Sequence, residues 1–309
     1  MAEYYLSTVL KSRLPFNIPL GIRHMLLSTF MFSIMNVFIK LVSVRIPAIE
    51  IVFFRCLVSM VLCFGIVYRH KISWVGNNRK LLLARGIFGT VALYTFFITL
   101  HKMPLGTAVT IQYLSPVFTT VIAIFLLKES IKPLQWLFFS VSFAGVIVIR
   151  GVSAGIPAGM IAIGILSALS SGFAYNMVRS LKEKEHYAVV VLHFQLVGTL
   201  IGLAFSIFNW VMPYGIEWFY LIMIGVLTQV AQVSLTKALQ MEKIANVSIL
   251  NYLGVIYALL FGFTFFSEHY TLYTMLGILL VIGGVLFNFL YTAQKAKLVA
   301  EEELTTIEE

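Results

Sequence analysis

The chain has 309 residues, 60% hydrophobic and 11% charged, with a mean hydropathy of +0.95. A soluble domain carries about 25% charged residues, so this chain has too few polar side chains to cover a water-facing surface. The net charge of +9 suggests nucleic acid, but its distribution along the chain does not, and lipid is the expected solvent.

A membrane-spanning helix needs about 20 mostly apolar residues. Ten runs fit: 24–43, 48–68, 81–100, 105–127, 134–150, 158–179, 188–209, 217–236, 246–266 and 272–292. The runs are continuous rather than alternating, which favours helices over a barrel. Pro47, Pro104, Pro133 and Pro157 stand at or just before first turns, where a missing N–H costs little. Pro116 alone falls inside a run. Residues 1–23 form a short N-terminal segment without a cleavable-signal pattern. Residues 293–309, ending EEELTTIEE, are expected to be an acidic, mobile, cytoplasmic tail. Cys56 and Cys63 lie about two turns apart on one helix and cannot pair with each other. Gly198 and Gly202 make a GxxxG, expected to pack helices within the chain.

Seventeen of the 22 Lys and Arg, Arg85 counted among them, fall on the side that holds both termini. Three, Arg45, Lys102 and Arg150, fall on the other, and Lys40 and Arg55 lie within or near spans. This bias predicts cytoplasmic termini. The basic surplus then orients the chain and meets lipid headgroups.

A shift of 139 residues places Ala92 on Ala231, Tyr113 on Tyr252, Glu129 on Glu268 and Gly145 on Gly284 without a gap. It also places Lys40 on Arg179; one extra residue then sets FFRCLVS (53–59) over HFQLVGT (193–199). A duplication is the expected origin. Each half, 24–150 and 151–292, holds five spans. Five is odd, so the second half enters the membrane upside down, as in transporters built from inverted repeats.

The segment LSPVFTTVIAIFLLKESI, followed by a span ending FAGVIVI, resembles the EamA-type repeat of the drug/metabolite transporter superfamily. YLGVIYALLFGFTFFSEHYT followed by GILLVIGGVLF is a weaker copy. The resemblance covers about residues 24–292. It implies an all-α integral membrane fold of ten helices in two inverted five-helix repeats, both termini cytoplasmic, and a carrier of small metabolites. In the second copy Gly254-Val255 replaces Ser115-Pro116, so the fourth and ninth spans are expected to bend differently.

Polar groups in a bilayer are costly and serve either function or helix–helix bonding. In the fourth span Gln112, Ser115 and Thr119 share one face, beside Tyr113. Pro116 breaks the ladder there and frees the Gln112 carbonyl for a ligand or water, an expected hinge. The ninth span repeats the theme with Ser248, Asn251 and Tyr252, and the eighth carries Thr228, Gln229, Gln232 and Thr236. Asn36, Tyr94, Tyr175 and Asn176 are further candidates. Lys40, near a span end, either snorkels outward or meets substrate. Arg55 either pairs with Glu50 or offers its fork to a carboxylate or phosphate. His193 either packs through a hydrogen bond or carries a proton. The candidate substrate-binding set is thus Asn36, Lys40, Arg55, Tyr94, Gln112, Tyr113, Ser115, Tyr175, His193, Gln229, Gln232, Asn251 and Tyr252. Glu129 and Glu268 are expected at the positive N-termini of the helices that follow them.

The chain contains no aspartate, and none of its 13 glutamates falls in mid-span. A buried carboxylate relay for protons or sodium is therefore hard to build. A neutral, zwitterionic or anionic solute fits better, while the aromatic residues leave cation–π recognition open. A membrane-embedded enzyme would need a nucleophile with its base, a metal cluster or paired carboxylates; no HExxH or CxxC is present. A receptor would be expected to carry a larger soluble domain. The reading is a non-enzymatic, multi-pass transporter of the bacterial cytoplasmic membrane. No cofactor or metal is expected, and its partners are a small solute and the bilayer, not nucleic acid; no oligomeric state is implied.

Overall fold

The computed structural model describes residues 19–127, 133–152, 156–182, 184–241, 250 and 253–308; for 127, 150–152, 289, 292, 293 and 295–308 it describes the backbone alone. Among these residues the chain is helical throughout, without a strand. In chain order the helices are α1 (Leu20–Val42), α2 (Ala48–Arg69), α3 (Arg79–Lys102), α4 (Leu105–Gln112) and α5 (Ser115–Leu127). They continue with α6 (Pro133–Val152), α7 (Ala158–Ser180), α8 (Tyr187–Ser206), α9 (Glu217–Met241), α10 (Leu253–Phe266) and α11 (Leu272–Glu308). Proline opens many of them. Pro19, Pro47, Pro104 and Pro157 are the N-caps of α1, α2, α4 and α7, and Pro133 begins α6.

Among the described residues seven helical segments are long and apolar enough to cross a membrane, with α4 and α5 together making one of them. Three shorter apolar helices lie at 133–149, 253–266 and 272–288. Each falls on one of the expected runs. Bare apolar side chains cover the outside: Val61, Phe125, Phe208 and Leu279 are all more than half exposed. A surface of that kind suits lipid and not water. The tail expected to be mobile continues α11 to Glu308. Its Ala, Lys, Glu and Leu are good helix formers, with no Gly or Pro to stop the helix.

The fourth span is not one helix. It stops at Gln112 and restarts at Ser115, just before Pro116. Tyr113 and Leu114 close the break with tight i→i−3 bonds to Thr110 and Ile111. In the second half α10 starts at Leu253, and Asn251, Tyr252 and Ser248 lie outside the described residues, as does Glu129.

The 139-residue shift carries packing contacts onto packing contacts. α1 packs on α9 as α7 packs on α3, α10 on α1 as α5 on α7, and α9 on α2 as α3 on α8. α2 with α8 and α6 with α11 are self-matched pairs. The match reaches single bonds. Ser28 donates to the carbonyl of Ala231 at 2.9 Å, and its counterpart Ser167 donates to that of Ala92, the counterpart of Ala231, at 2.6 Å. A Cβ on Gly145 would stand 2.6 Å from the Gly277 carbonyl, and one on its counterpart Gly284 2.5 Å from that of Phe138. These glycines let α6 and α11 touch along their backbones. Gly198 and Gly202 do the same for α8 on α2: an added Cβ would lie 2.5 Å from Cys56 Sγ and 2.8 Å from Phe53 Cα. The GxxxG is thus used inside the chain.

Candidate functional site

Among the described residues, three groups of polar side chains bear on function. The first follows the break in the fourth span. Gln112, the last residue of α4, is held on both sides by α7. Its Nε2 donates to Ser171 Oγ at 2.7 Å, and its Oε1 lies 2.6 Å from Ser167 Oγ, sharing that single hydroxyl proton with the Ala92 carbonyl. Ser115 is buried one turn on, and Thr119 bonds back to the Ser115 carbonyl. Asn176 of α7 donates to the Thr119 carbonyl at 3.0 Å. The polar face read from the sequence therefore meets a facing helix. The Tyr113 hydroxyl lies against Gly254, where a Cβ would displace it.

The second group is a pair of buried arginines. Arg55 of α2 is 1% exposed and Arg85 of α3 is 5% exposed. Both guanidiniums lie over the Phe194 ring of α8, with Cζ 5.6 and 4.2 Å from its centroid. The only hydrogen bond of Arg55 is to Cys56 Sγ at 3.7 Å, and Arg85 makes none among the described residues. The Nε of each is buried without a partner. The expected Glu50–Arg55 pair does not form. Glu50 lies at the opening turn of α2, and its carboxylate accepts from the Val211 N–H at 2.9 Å. Tyr175 is within electrostatic reach of Arg85, and Tyr113 of Tyr175. Gln195, next to Phe194, is buried with neither amide atom hydrogen-bonded.

The third group closes one end of the bundle. Lys40, in the last turn of α1, is ion-paired with Glu268 and donates to the Met103 carbonyl at 2.8 Å. Glu268 accepts from the Leu105 N–H through both oxygens, at 2.9 and 2.8 Å, and from Tyr270 at 2.6 Å. Its carboxylate does sit at a helix N-terminus, but that of α4, in the other half of the chain, and not that of the next helix α11. Nearby, Arg45 is paired with Glu217.

The remaining candidates are scattered. Asn36 is buried with Oδ1 unpartnered, and Gln229 accepts from Ser59 at 2.7 Å. Gln232 is buried on the same helix, α9. His193 turns its Nδ1 to the Val189 carbonyl of its own helix at 3.0 Å. Tyr94 continues the exposed stripe Leu83–Ile87–Val91 along α3, apart from these groups. Sequence reasoning missed Arg85, Phe194 and Gln195. Arg85 stands near the start of its span and reads as a basic headgroup contact. The signal was Gly89, one turn on: its missing Cβ leaves the space that the Arg85 guanidinium fills against Phe194. Among the described residues no group of three or more His, Cys or Glu is placed to hold a metal ion.

These features define an integral, multi-pass helical membrane protein. The sequence model of the EamA-like transporter family matches residues 19–151 and again residues 158–290, and the chain belongs to that family. Its relatives are membrane transporters rather than enzymes. It is 28% identical over 264 residues to the "Pseudopaline exporter CntI" of Pseudomonas aeruginosa, covering 85% of this chain and 93% of that protein. It is 29% identical over 285 residues to human "Solute carrier family 35 member G1", covering 86% and 77%. It is 25% identical over 277 residues to the "S-adenosylmethionine uptake transporter" of Rickettsia felis, covering 89% and 94%. A solved crystal structure superposes with a TM-score of 0.61 at 17% identity, covering 84% of this chain and 94% of that one.

Proposed function

We propose that this protein is a secondary transporter that moves a small polar metabolite, such as an amino acid or organic anion, by alternating access. The carrying observation is the exchange symmetry of the contacts, down to Ser28–Ala231 and Ser167–Ala92. Two interlocked five-helix halves of 24–150 and 151–292, inverted with respect to each other, can trade which side they open. The two consecutive family matches and the charge bias support this layout, with both termini cytoplasmic in a bacterial inner membrane. The solute path runs between the halves, past Arg55, Tyr113, Tyr175 and Gln232, and Pro116 is the hinge of the fourth span. The Lys40–Glu268 group clasps the outer end in this conformation. One relative is named an exporter and another an uptake transporter, so direction is not carried over with the fold.

The test is two-sided accessibility. In a background lacking Cys56 and Cys63, a cysteine placed at Gln232 should react with an impermeant maleimide from either face of a proteoliposome. The favoured face should change when the clasp is removed by Lys40→Ala. Reaction from one face alone, unchanged by Lys40→Ala, sinks alternating access.

A further inference from the structure

We propose that Arg55 and Arg85 form a paired-guanidinium site for a small organic dianion, with Phe194 as the shared floor. The proposal rests on the transporter reading above and names the solute class. Arg55 lies about 10 Å along α2 and Arg85 about 9 Å along α3 from their N-terminal ends, by the helical rise. Their long side chains converge on one ring of α8. Two like charges so placed in a low-dielectric interior repel and lack hydration, a cost a protein normally offsets with carboxylates. Here none is supplied: no described carboxylate pairs with either arginine, and the sequence has no aspartate. A core arginine kept for structure spends its donors on carbonyls or acids. Among the described residues Arg85 spends none, and Arg55 only one, on a thiol. The planar fork of each matches a carboxylate or phosphate edge. Two forks call for two negative charges, which a dicarboxylate or a phosphorylated solute supplies equally well. Phe194 anchors both guanidiniums by cation–π contact before the anion arrives, and Gln195 offers uncommitted donors and an acceptor beside it.

The experiment is thermal unfolding of the purified full-length protein in detergent at fixed ionic strength, with succinate, inorganic phosphate or the neutral succinamide. Succinate, phosphate or both should raise Tm by about 5 °C at saturation, and succinamide should leave it unchanged. A response to succinate alone assigns dicarboxylates; a response to phosphate alone assigns phosphorylated solutes. Arg55→Gln and Arg85→Gln should each raise the concentration for half-response at least tenfold, while the free protein's Tm stays level or rises. The proposal is overturned if neither dianion acts, if succinamide acts equally, or if both variants respond as the wild type does. Should a variant fail to fold, the wild-type contrast of succinate with succinamide decides alone. Counterflow in proteoliposomes separates the two readings. Exchange of neutral amino acids without any dianion response removes the dianion site and keeps the transporter. Dianion binding without exchange of any solute keeps the site and removes the transporter.

Discussion

Two basic clusters inside the same bundle are treated in opposite ways. Where α1, α4 and α10 meet, Lys40 has Glu268, the Met103 carbonyl and the Phe266 ring, and Glu268 has the Leu105 N–H and Tyr270 besides. Burial raises the pKa of the Tyr270 hydroxyl, and its bond to Glu268 raises it further, so it stays a donor throughout the physiological range. Deeper in, Arg55 and Arg85 share a ring and no acid. Buried charge is tolerated when paired and costly when not. A chain that pairs one cluster so fully has the means to pair the other. Leaving it open is consistent with a partner that arrives and departs.

The contrast predicts opposite signs on substitution. Glu268→Ala strands the Lys40 ammonium and the Leu105 N–H, and should cost ~3 kcal/mol. Thermal unfolding in detergent checks it. Adding Lys40→Met should recover part of the loss, because the two changes are not additive. The double variant Arg55→Met/Arg85→Met removes two uncompensated charges and should gain ~1–2 kcal/mol without ligand. A loss of that size instead would make the arginines structural and erase the distinction between the clusters.

Much of this was legible in the sequence where the signal was periodic or local. Helix positions followed the apolar runs and prolines, and the break before Pro116 followed from the chemistry of proline. Pairings across the bundle were not. Glu50 looked like the partner of Arg55 because they are five residues apart, yet Val211 takes its carboxylate. Glu268 was matched to the helix after it, yet folding brings α4 to it. Arg85 looked like an orienting charge because span position alone does not tell which way a side chain turns. Alignment at fixed shift was more informative, since it named Ala92 and Ala231 before any contact was known. It also predicts graded energetics: Ser28→Ala should cost about 1 kcal/mol and Ser167→Ala up to about twice that, because Ser167 also holds Gln112 Oε1. Equal losses in the same melting assay would mean that the contact with Gln112 carries no load.

The smallest effect lies at the opposite end of the bundle, which is also saturated. Glu185 accepts from the N–H groups of Asn77 and Asn78, and His186 caps α8 by accepting from the Ala188 N–H at 3.2 Å. Accepting requires a neutral imidazole nitrogen. Partial burial lowers the His186 pKa below 6.5, and the nearby charges of His70 and Lys237 lower it further. Lys237 is held there over the Tyr187 ring, at 4.6 Å. A histidine whose folded pKa is depressed contributes stability above its unfolded pKa. That contribution is lost as pH falls through 6.5 toward the folded value. Wild-type Tm should therefore fall by about 1 °C from this site between pH 7 and pH 5, a small amount because the ring is largely solvated. His186→Asn keeps an acceptor at the cap and cannot titrate, so its Tm should fall less over the same range. If the two proteins lose stability in parallel, the pH response comes from elsewhere in the bundle and the His186 cap is not its source.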